Sequence, residues 1–286
     1  LNGGNLPKNT TVFMSSFATG ASGFPLCFLN YSKNEKKKII KNTKIAKLLE
    51  IEMMLKKLNS KFFIPYAGFF SESASRDKYI KKKNFKNSID DVKKRLSKTI
   101  AKVNVCDLIN FDEHIFRGNQ LIEKKYIKKK KLYKINQNYI SSYIRSTKKT
   151  YNKINEERIT KYFYNSKFKD KLKLFLQLTN DNFVPTGTGF LIDFSNSKIK
   201  IRKISNSVLE KLFNKYREED NINYLNLKIR KESLHMTIDN FLPFEDLLIG
   251  FQCRVRRLPN LYNNRFWYHF TNIYIAKKHF RSEKIC

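Results

Sequence analysis

The order of elements near the start of the chain constrains the fold most strongly. An apolar run at residues 12–16 predicts a strand, and it leads into a loop that contains Gly20 and Gly23. Residues 34–58 carry apolar side chains at helical spacing, and residues 62–64 predict a second strand. A strand, a helix and another strand in this order are typical of an α/β fold with parallel strands. Ligands in such folds commonly bind at the carboxyl ends of the strands, where this glycine loop lies.

The predicted helix has one apolar face, formed by side chains three or four residues apart. Its members are Ile45, Leu48, Ile51, Leu55 and Leu58. This spacing places them on one side of a helix, so we expect that side to pack on the sheet. We expect Pro65 to end the second strand, because proline has no backbone N–H to donate within a sheet.

The rest of the chain divides into two regions of different pattern. Residues 73–135 are highly charged and predict only local helix, and residues 152–166 predict a helix. From residue 168 onwards we predict strands at 172–178, 190–194, 198–204, 225–229 and 251–256, and helices at 208–216, 232–240 and 243–249. The sequence therefore predicts three regions: 1–72, which is α/β; 73–167, a charged and partly helical connection; and 168–286, an α+β unit.

The net charge of +33 comes from 58 Lys and Arg against 25 Asp and Glu. Such a balance usually indicates a polyanionic partner. Here the excess is mostly Lys, and it accompanies abundant Asn, Ile, Tyr and Phe, whose codons are A/T-rich, so genome composition accounts for much of it. No RNA-recognition, zinc-knuckle or helix-turn-helix pattern is present. Nucleic acid is therefore not the expected partner, and a basic nucleic-acid-binding protein stays an alternative interpretation.

The four cysteines and four histidines show no metal-ligand spacing. The cysteines form no C-x-x-C pair, and none lies near a histidine, so we predict no metal site and no disulfide framework. This cysteine usage favours a reducing, cytoplasmic location. No run of about 18 apolar residues occurs, so we expect no membrane-spanning segment.

Four blocks of residues occur in the order found in one enzyme family. They are NGG-x-LP at 2–7 with F-x-x-GASGFP at 17–25; IPYAGFF at 64–70 with Glu72 and DKYIK at 77–81; GFLIDF at 189–194; and LIGFQ at 248–252 with Arg254, Arg257, Pro259, Tyr262, Trp267 and His269. These blocks resemble the C-terminal half of CMP-N-acetylneuraminate hydroxylases. The resemblance covers nearly the whole chain and is weak from about 95 to 165.

The resemblance implies a specific fold and activity. The family has an N-terminal Rieske domain followed by a metallo-β-lactamase-like αββα domain. It hydroxylates the N-acetyl group of CMP-sialic acid to the N-glycolyl form, and the electrons come from NADH through a reductase and a small b-type cytochrome. We therefore expect this chain to form the C-terminal half of the αββα sandwich followed by a smaller α+β unit, and to bind CMP-sialic acid.

The family's metal motifs are missing from this sequence. A Rieske cluster needs two Cys and two His, and neither C-x-H with C-x-x-H nor H-x-H-x-D-H is present. The resemblance thus implies no cofactor in this chain, with a two-iron two-sulfur cluster and iron in a full-length protein, and it predicts that this chain alone is inactive. Ser16 and Thr19 stand where the family has Asp and Gly, so a degenerate, non-catalytic homologue is a second alternative.

The glycine loop is the first candidate for substrate binding. Successive backbone N–H groups of Gly20, Ala21, Ser22 and Gly23 could cradle a carboxylate or phosphate of the CMP-sugar, and the hydroxyl of Ser22 could add a hydrogen bond. The alternative is a tight turn that needs a positive φ.

Tyr66 and Glu72 follow the end of the second strand, so we expect them to line the same cleft. Alternatively, Tyr66 packs in the interior and Glu72 caps a turn, which is the interpretation that we favour.

Arg257, with Arg254 and Arg256, is the last candidate, because arginine binds phosphate through two parallel hydrogen bonds. An exposed strand face is the simpler interpretation for these arginines. For Trp267 and His269, a packed aromatic core is more plausible than stacking on a base.

Overall fold

The computed structural model describes residues 11–18, 23–68, 72–100, 102–107, 112–118, 120–125, 136–151, 155–216 and 221–276. Contacts divide the chain into two compact units. The first unit contains Leu1–Gly20, Asn34–Ser73 and Tyr79–Ile135, and the second contains Ala21–Lys33, Ala74–Lys78 and Asn136–Cys286. The predicted regions 1–72, 73–167 and 168–286 divide the chain differently and stay a prediction. Among the described helices, none is long and apolar enough to cross a membrane.

The first unit contains a three-stranded parallel sheet in the order β1-β2-β3. Its strands are β1 (Val12–Ser16), β2 (Phe62–Tyr66) and β3 (Asn104–Val105), and its helices are α1 (Lys33–Leu58), α2 (Lys78–Lys83) and α3 (Ile89–Thr99). A separate antiparallel hairpin joins β4 (Glu113–Arg117) to β5 (Gln120–Lys125). The parallel pairing of β1 with β2 across α1 confirms the predicted strand, helix and strand.

Two details of the first unit differ from the prediction. Pro65 does not end β2, which continues to Tyr66; β3 pairs only with Phe62 and Phe63, so Pro65 lies where β1 is the neighbouring strand. Ile45 is 47% exposed, whereas Ile51 and Leu55 are buried against the sheet. Each residue of a helix turns the chain by about 100°, so the six residues from Ile45 to Ile51 stop about 120° short of two full turns. Ile45 therefore lies at the edge of the apolar face or beyond it.

The second unit is built on a five-stranded mixed sheet in the order β10-β9-β6-β7-β8. The strands are β6 (Leu172–Thr179), β7 (Pro185–Asp193), β8 (Lys200–Ser205), β9 (Asn223–Arg230) and β10 (Cys253–Leu258). The helices are α4 (Gln137–Tyr151), α5 (Glu156–Asn165), α6 (Asn206–Asn214), α7 (Lys231–Asp239), α8 (Asp246–Ile249) and α9 (Asn264–Tyr268), with a π-helix at His269–Ile273. Among these five described strands, only β6 and β9 pair in parallel. The protein is therefore a mixed α/β protein with several sheets, as predicted.

Helices cover both faces of the central strand β6, and its side chains are almost all buried. On one face Leu209 and Phe213 of α6 pack on Phe175. An aromatic core of Phe163, Phe194, Phe244, Phe266 and Phe270 lies elsewhere in the same unit. Trp267 contacts this core and is 2% exposed, which confirms the predicted packing of the aromatic run.

Candidate functional site

The carboxyl ends of β1 and β2 lie side by side in the first unit. Ser16 pairs with Tyr66, whose side chain is 49% exposed, so the favoured interpretation of Tyr66 as an interior residue is wrong. The chain segments that follow the two strands approach closely, because a Cβ on Gly68 would lie 2.7 Å from the ring of Phe17. Gly20, Ala21 and Ser22 fall outside the described residues, so their role in binding stays a prediction.

The carboxylate of Glu72 has its contacts with other residues of the first unit. Its carboxylate is buried and accepts a hydrogen bond from Asn84 Nδ2 at 2.8 Å, and Lys86 Nζ lies 3.4 Å from both of its oxygens. These contacts tie the segment before α2 to the segment after it. They support a structural role for Glu72, and its predicted contact with substrate stays untested.

Gly23, in the second unit, occupies a position that only glycine tolerates. Its φ is +68°, and a Cβ there would lie 2.5 Å from the carbonyl oxygen of Leu248. The Gly23 carbonyl accepts a hydrogen bond from the Cys27 N–H at 2.7 Å, which closes a turn. The turn interpretation is therefore confirmed for Gly23, and binding by its backbone stays a prediction.

The three arginines of β10 do not form one cluster, because neighbouring residues of a strand point to opposite faces. Arg254 stacks on Phe183, with its guanidinium carbon 3.7 Å from the ring centroid, and Arg256 donates to Asn214 Oδ1 on the α6 side. Arg257 points to the other face. Both Arg254 and Arg257 are buried, at 8% and 7% exposure, so the expectation of an exposed strand face is wrong for them.

The segment that follows the glycine loop packs around Arg257. The guanidinium of Arg257 lies over the ring of Phe28 at 4.8 Å, and its Nη2 lies 3.5 Å from the Tyr31 hydroxyl. The side chain of Asn30 accepts from the Arg257 N–H at 2.9 Å and donates to the Arg257 carbonyl at 2.7 Å. The segment that directly follows the GASGFP block therefore meets the closing block, which begins with LIGFQ at 248–252, at Arg257.

Arg257 also lines a cavity of about 360 Å³ in the second unit. The cavity wall combines apolar side chains with amides and charged groups, and it includes Pro259 and Tyr262 of the closing block. Its other members are Asp170, Leu172, Asn223, Tyr224, Leu225, Leu261, Asn263, Asn264 and Arg265. The size and the mixture of groups are those of a small-molecule site.

The charges around this cavity favour an anion. Arg265 is paired with Asp170 at 3.1 Å, but Arg257 has no carboxylate within ion-pair distance among the described residues. Its Nε and Nη2 donate to Asn260 Oδ1 at 3.2 and 2.8 Å, and Nη1 donates to no described residue. A buried cation without a counter-ion is costly, so a phosphate or carboxylate in the cavity would stabilise it.

Tyr262 is a second polar group at the same wall. Burial raises the pKa of its hydroxyl above the usual value, and the charge of Glu245 adds to the effect while that of Arg257 opposes it. The hydroxyl is therefore protonated at neutral pH and able to donate a hydrogen bond to a ligand oxygen.

Sequence reasoning identified Arg257 but missed most of the cavity wall. Asn223, Asp170 and Asn263 carry no motif, and they converge only because β6, β9 and the segment after β10 meet in the fold. The asparagines between Pro259 and Arg265 were a compositional signal for a polar loop.

The described residues contain no group of three or more His, Cys, Asp or Glu side chains that could hold a metal ion. Cys27, Cys106 and Cys253 are buried and form no disulfide among the described residues. The residues of this structure therefore do not fit an iron centre or a Rieske cluster.

Comparison with curated proteins finds relatives that are similar to nearly the whole chain. The cytidine monophosphate-N-acetylneuraminic acid hydroxylases of Danio rerio and Sus scrofa are each 30% identical over 94% of this chain. A Homo sapiens relative with the same identity and coverage is named an inactive hydroxylase. The chain spans 45%, 61% and 53% of the lengths of these relatives, respectively.

No protein-family model and no solved structure matches the chain. The curated relatives nevertheless confirm the resemblance predicted from the four sequence blocks. The chain is therefore similar to the CMP-N-acetylneuraminic acid hydroxylases over about half of their length.

Proposed function

We propose that this chain is the substrate-binding and scaffold portion of a CMP-N-acetylneuraminate hydroxylase-like monooxygenase, which converts the N-acetyl to the N-glycolyl sugar nucleotide. The observation that carries this proposal is the convergence at Arg257. The segment directly after the GASGFP block and the closing block, separated by more than 200 residues, meet at a buried arginine that lines a cavity.

The chemistry of the cavity suits CMP-sialic acid. This substrate carries a phosphate and a carboxylate, and a guanidinium binds either group through parallel hydrogen bonds. Tyr262 and the asparagines of the wall offer donors and acceptors for sugar hydroxyls or for the base. Arg257 would hold the anion, while Asn30 and Phe28 fix the position of Arg257 itself.

For the first unit we propose one layer of a metallo-β-lactamase-like αββα sandwich. The three-stranded sheet covered by α1 on one face supports this assignment. Tyr66 would then lie at the rim where the strands end. Glu72 is proposed to support that rim through Asn84 and Lys86.

We propose that the iron and the two-iron two-sulfur cluster are held by other residues of a full-length protein, since the described residues do not fit them. A small b-type cytochrome and its NADH-dependent reductase would supply the electrons there. A cytoplasmic location is proposed because the buried cysteines Cys106 and Cys253 form no disulfide among the described residues.

The test is product formation. The full-length gene product and this 286-residue chain are incubated separately with CMP-N-acetylneuraminate, NADH, the cytochrome and its reductase, and the glycolyl product is measured by mass spectrometry. We expect product from the full-length protein and none from this chain. Turnover by this chain alone, or none by the loaded full-length protein, would contradict the proposal.

A further inference from the structure

Helix α1 carries two sets of apolar side chains that point in different directions. The first set includes Ile51 and Leu55 and is buried in the core against the sheet of the first unit. The second set, called here the exposed stripe, consists of Ile45, Leu49 and Met53, whose side chains are 47%, 45% and 59% exposed. Leu49 and Met53 each lie two residues from a buried member, which places them about 160° around the helix axis from it. The exposed stripe therefore points away from the core.

The exposed stripe is continuous along one side of the helix. Its members follow one another at intervals of four residues, so each side chain is the neighbour of the next. Single exposed apolar side chains are ordinary on protein surfaces, whereas a contiguous apolar patch with a polar rim is typical of a contact surface for a protein or a membrane. The stripe is therefore a candidate contact surface.

Lysines flank the exposed stripe at both ends. Lys41 lies about one turn before it, Lys38 about two turns before it, and Lys57 about one turn after it. All three lysines are exposed, and none forms an ion pair with a residue that the structure describes. Glu50, which lies beside the stripe, is already paired with Lys47 at 3.0 Å. The rim of the stripe is therefore cationic.

We infer that the exposed stripe and its flanking lysines form a peripheral binding site for an anionic lipid surface. The apolar side chains enter the boundary of the acyl chains, and the ammonium groups contact the phosphates and carboxylates of the headgroups. This contact lies at the surface of the bilayer and needs no spanning helix. The inference goes beyond the proposed function and does not depend on it.

The size and the charge of the surface favour a lipid over a protein. The stripe offers only three large side chains, whereas a stable protein interface takes about 800 Å² from each partner. A membrane needs fewer apolar groups, because the attraction between lysines and anionic lipids adds to their burial. A second copy of this chain is disfavoured, since each copy carries a net charge of +33 and the two repel each other.

The test is sedimentation of this chain with two kinds of vesicle at low ionic strength. One kind contains roughly seven parts of phosphatidylcholine and three of phosphatidylserine, and the other contains phosphatidylcholine alone. The stripe variant combines Leu49→Gln with Met53→Gln, because glutamine keeps the helix propensity and removes the apolar groups. The lysine variant combines Lys38→Gln with Lys41→Gln.

The matched control lies on another helix. It combines Tyr139→Gln with Tyr143→Gln, which removes two exposed side chains at the same four-residue spacing on α4. Hydrogen exchange of α1 and α4 without vesicles checks that every variant keeps its helices.

We expect the wild-type chain to bind the anionic vesicles at least about tenfold more tightly than the neutral ones. The stripe variant should bind the anionic vesicles at least about tenfold more weakly than the wild type, because it loses the apolar contribution. The lysine variant should lose about tenfold as well, and added salt should reduce that difference. The control should bind within about twofold of the wild type.

The variants separate the exposed stripe from the charge of the whole chain. Equal binding by the wild type and the stripe variant would overturn the inference, because the net charge alone would then hold the vesicle. An equal loss in the control would overturn it too, since the contact would not be specific to α1. Absence of binding to the anionic vesicles would also overturn it and would leave an acidic protein as the partner of the stripe.

Discussion

The two units of the chain stabilise themselves in different ways. In the second unit, helices and aromatic side chains bury a five-stranded sheet, and ion pairs lie inside it, as between Arg230 and Asp77. In the first unit, a three-stranded sheet is covered fully on one face only, and several of its ion pairs, such as that between Lys47 and Glu50, lie at the surface, although the pair between Lys86 and Glu72 is buried. Sequence similarity spans both units, but among the described residues a buried network that joins several ion pairs lies in the second unit.

The buried ion pairs of the second unit form one network at the carboxyl end of β9. Arg230, which is 0% exposed, binds both oxygens of Asp77 at 2.9 and 3.1 Å. Arg76 contacts Glu232 Oε1 at 2.6 Å and Asp181 Oδ1 at 2.9 Å, and the side chain of Gln252 accepts from both arginines. Removing Arg230 leaves the buried Asp77 carboxylate without its ion-pair partner among the described residues.

The largest expected effect is therefore that of Arg230→Ala. The substitution leaves the buried Asp77 carboxylate without its main partner, and we expect it to lower the free energy of unfolding by about 3–5 kcal/mol. Urea unfolding followed by the fluorescence of Trp267, the only tryptophan, measures the second unit selectively. As the control, Arg158→Ala removes a pair with Asp239 whose arginine side chain is 62% exposed, and it should cost at most about 1 kcal/mol. Equal losses would contradict the distinction between buried and surface pairs.

The next, smaller effect is expected for glycine-to-alanine substitutions. Two of them distinguish the cost of a positive φ from the cost of a close contact. Gly23→Ala places a methyl group 2.5 Å from the Leu248 carbonyl oxygen at a positive φ, and we expect a loss of about 2–4 kcal/mol. Gly118→Ala has a similar φ of +53° with no atom within 4 Å, so it should cost only about 1 kcal/mol. Hydrogen exchange, followed separately in each unit, measures the loss of stability in both variants. If Gly118→Ala lowers the free energy of unfolding as much as Gly23→Ala does, the positive φ alone determines the loss of stability.

The smallest effect concerns Glu52 of the first unit, whose partners Lys56 and Arg95 have side chains that are 54% and 36% exposed. Hydrogen bonds from Lys56 and then Arg95 lower the pKa of Glu52. A lowered folded-state pKa contributes stability that is present above the unfolded pKa of about 4.3 and is lost as the pH falls through the folded value. Glu52→Gln should therefore cost about 0.5 kcal/mol at pH 7 and almost nothing near pH 2, as hydrogen exchange of α1 can test. A cost that does not change with pH would contradict this assignment.

Local patterns predicted the elements whose sequence signals are strong. The parallel β1 and β2, the helix between them and the strands of the second unit's sheet were foreseen from periodicity. The hairpin of β4 and β5 was missed, because its strands are short, charged and half exposed. Helix α4 was missed because its Asn, Ser and Thr residues have low helix propensity and none of its side chains is buried.

The candidate site shows a different limit. The burial of Arg257 depends on Asn30 and Phe28, more than 220 residues away in the chain, so no local pattern could reveal it. From its charge alone, Arg257 was expected to be exposed. It is buried because the segment after the glycine loop packs against it. The family blocks carried the information that composition and spacing lacked.

The most direct test of substrate binding at Arg257 is calorimetric titration of this chain with CMP-N-acetylneuraminate. Arg257→Lys keeps the charge but loses the parallel hydrogen bonds, and we predict that it weakens binding at least about tenfold. Arg256→Lys, on the opposite face of the same strand, should change affinity less than about twofold, with unfolding followed through Trp267 as the check on folding. If the wild-type chain does not bind CMP-N-acetylneuraminate, or if the two variants bind it with equal affinity, substrate binding at Arg257 is contradicted.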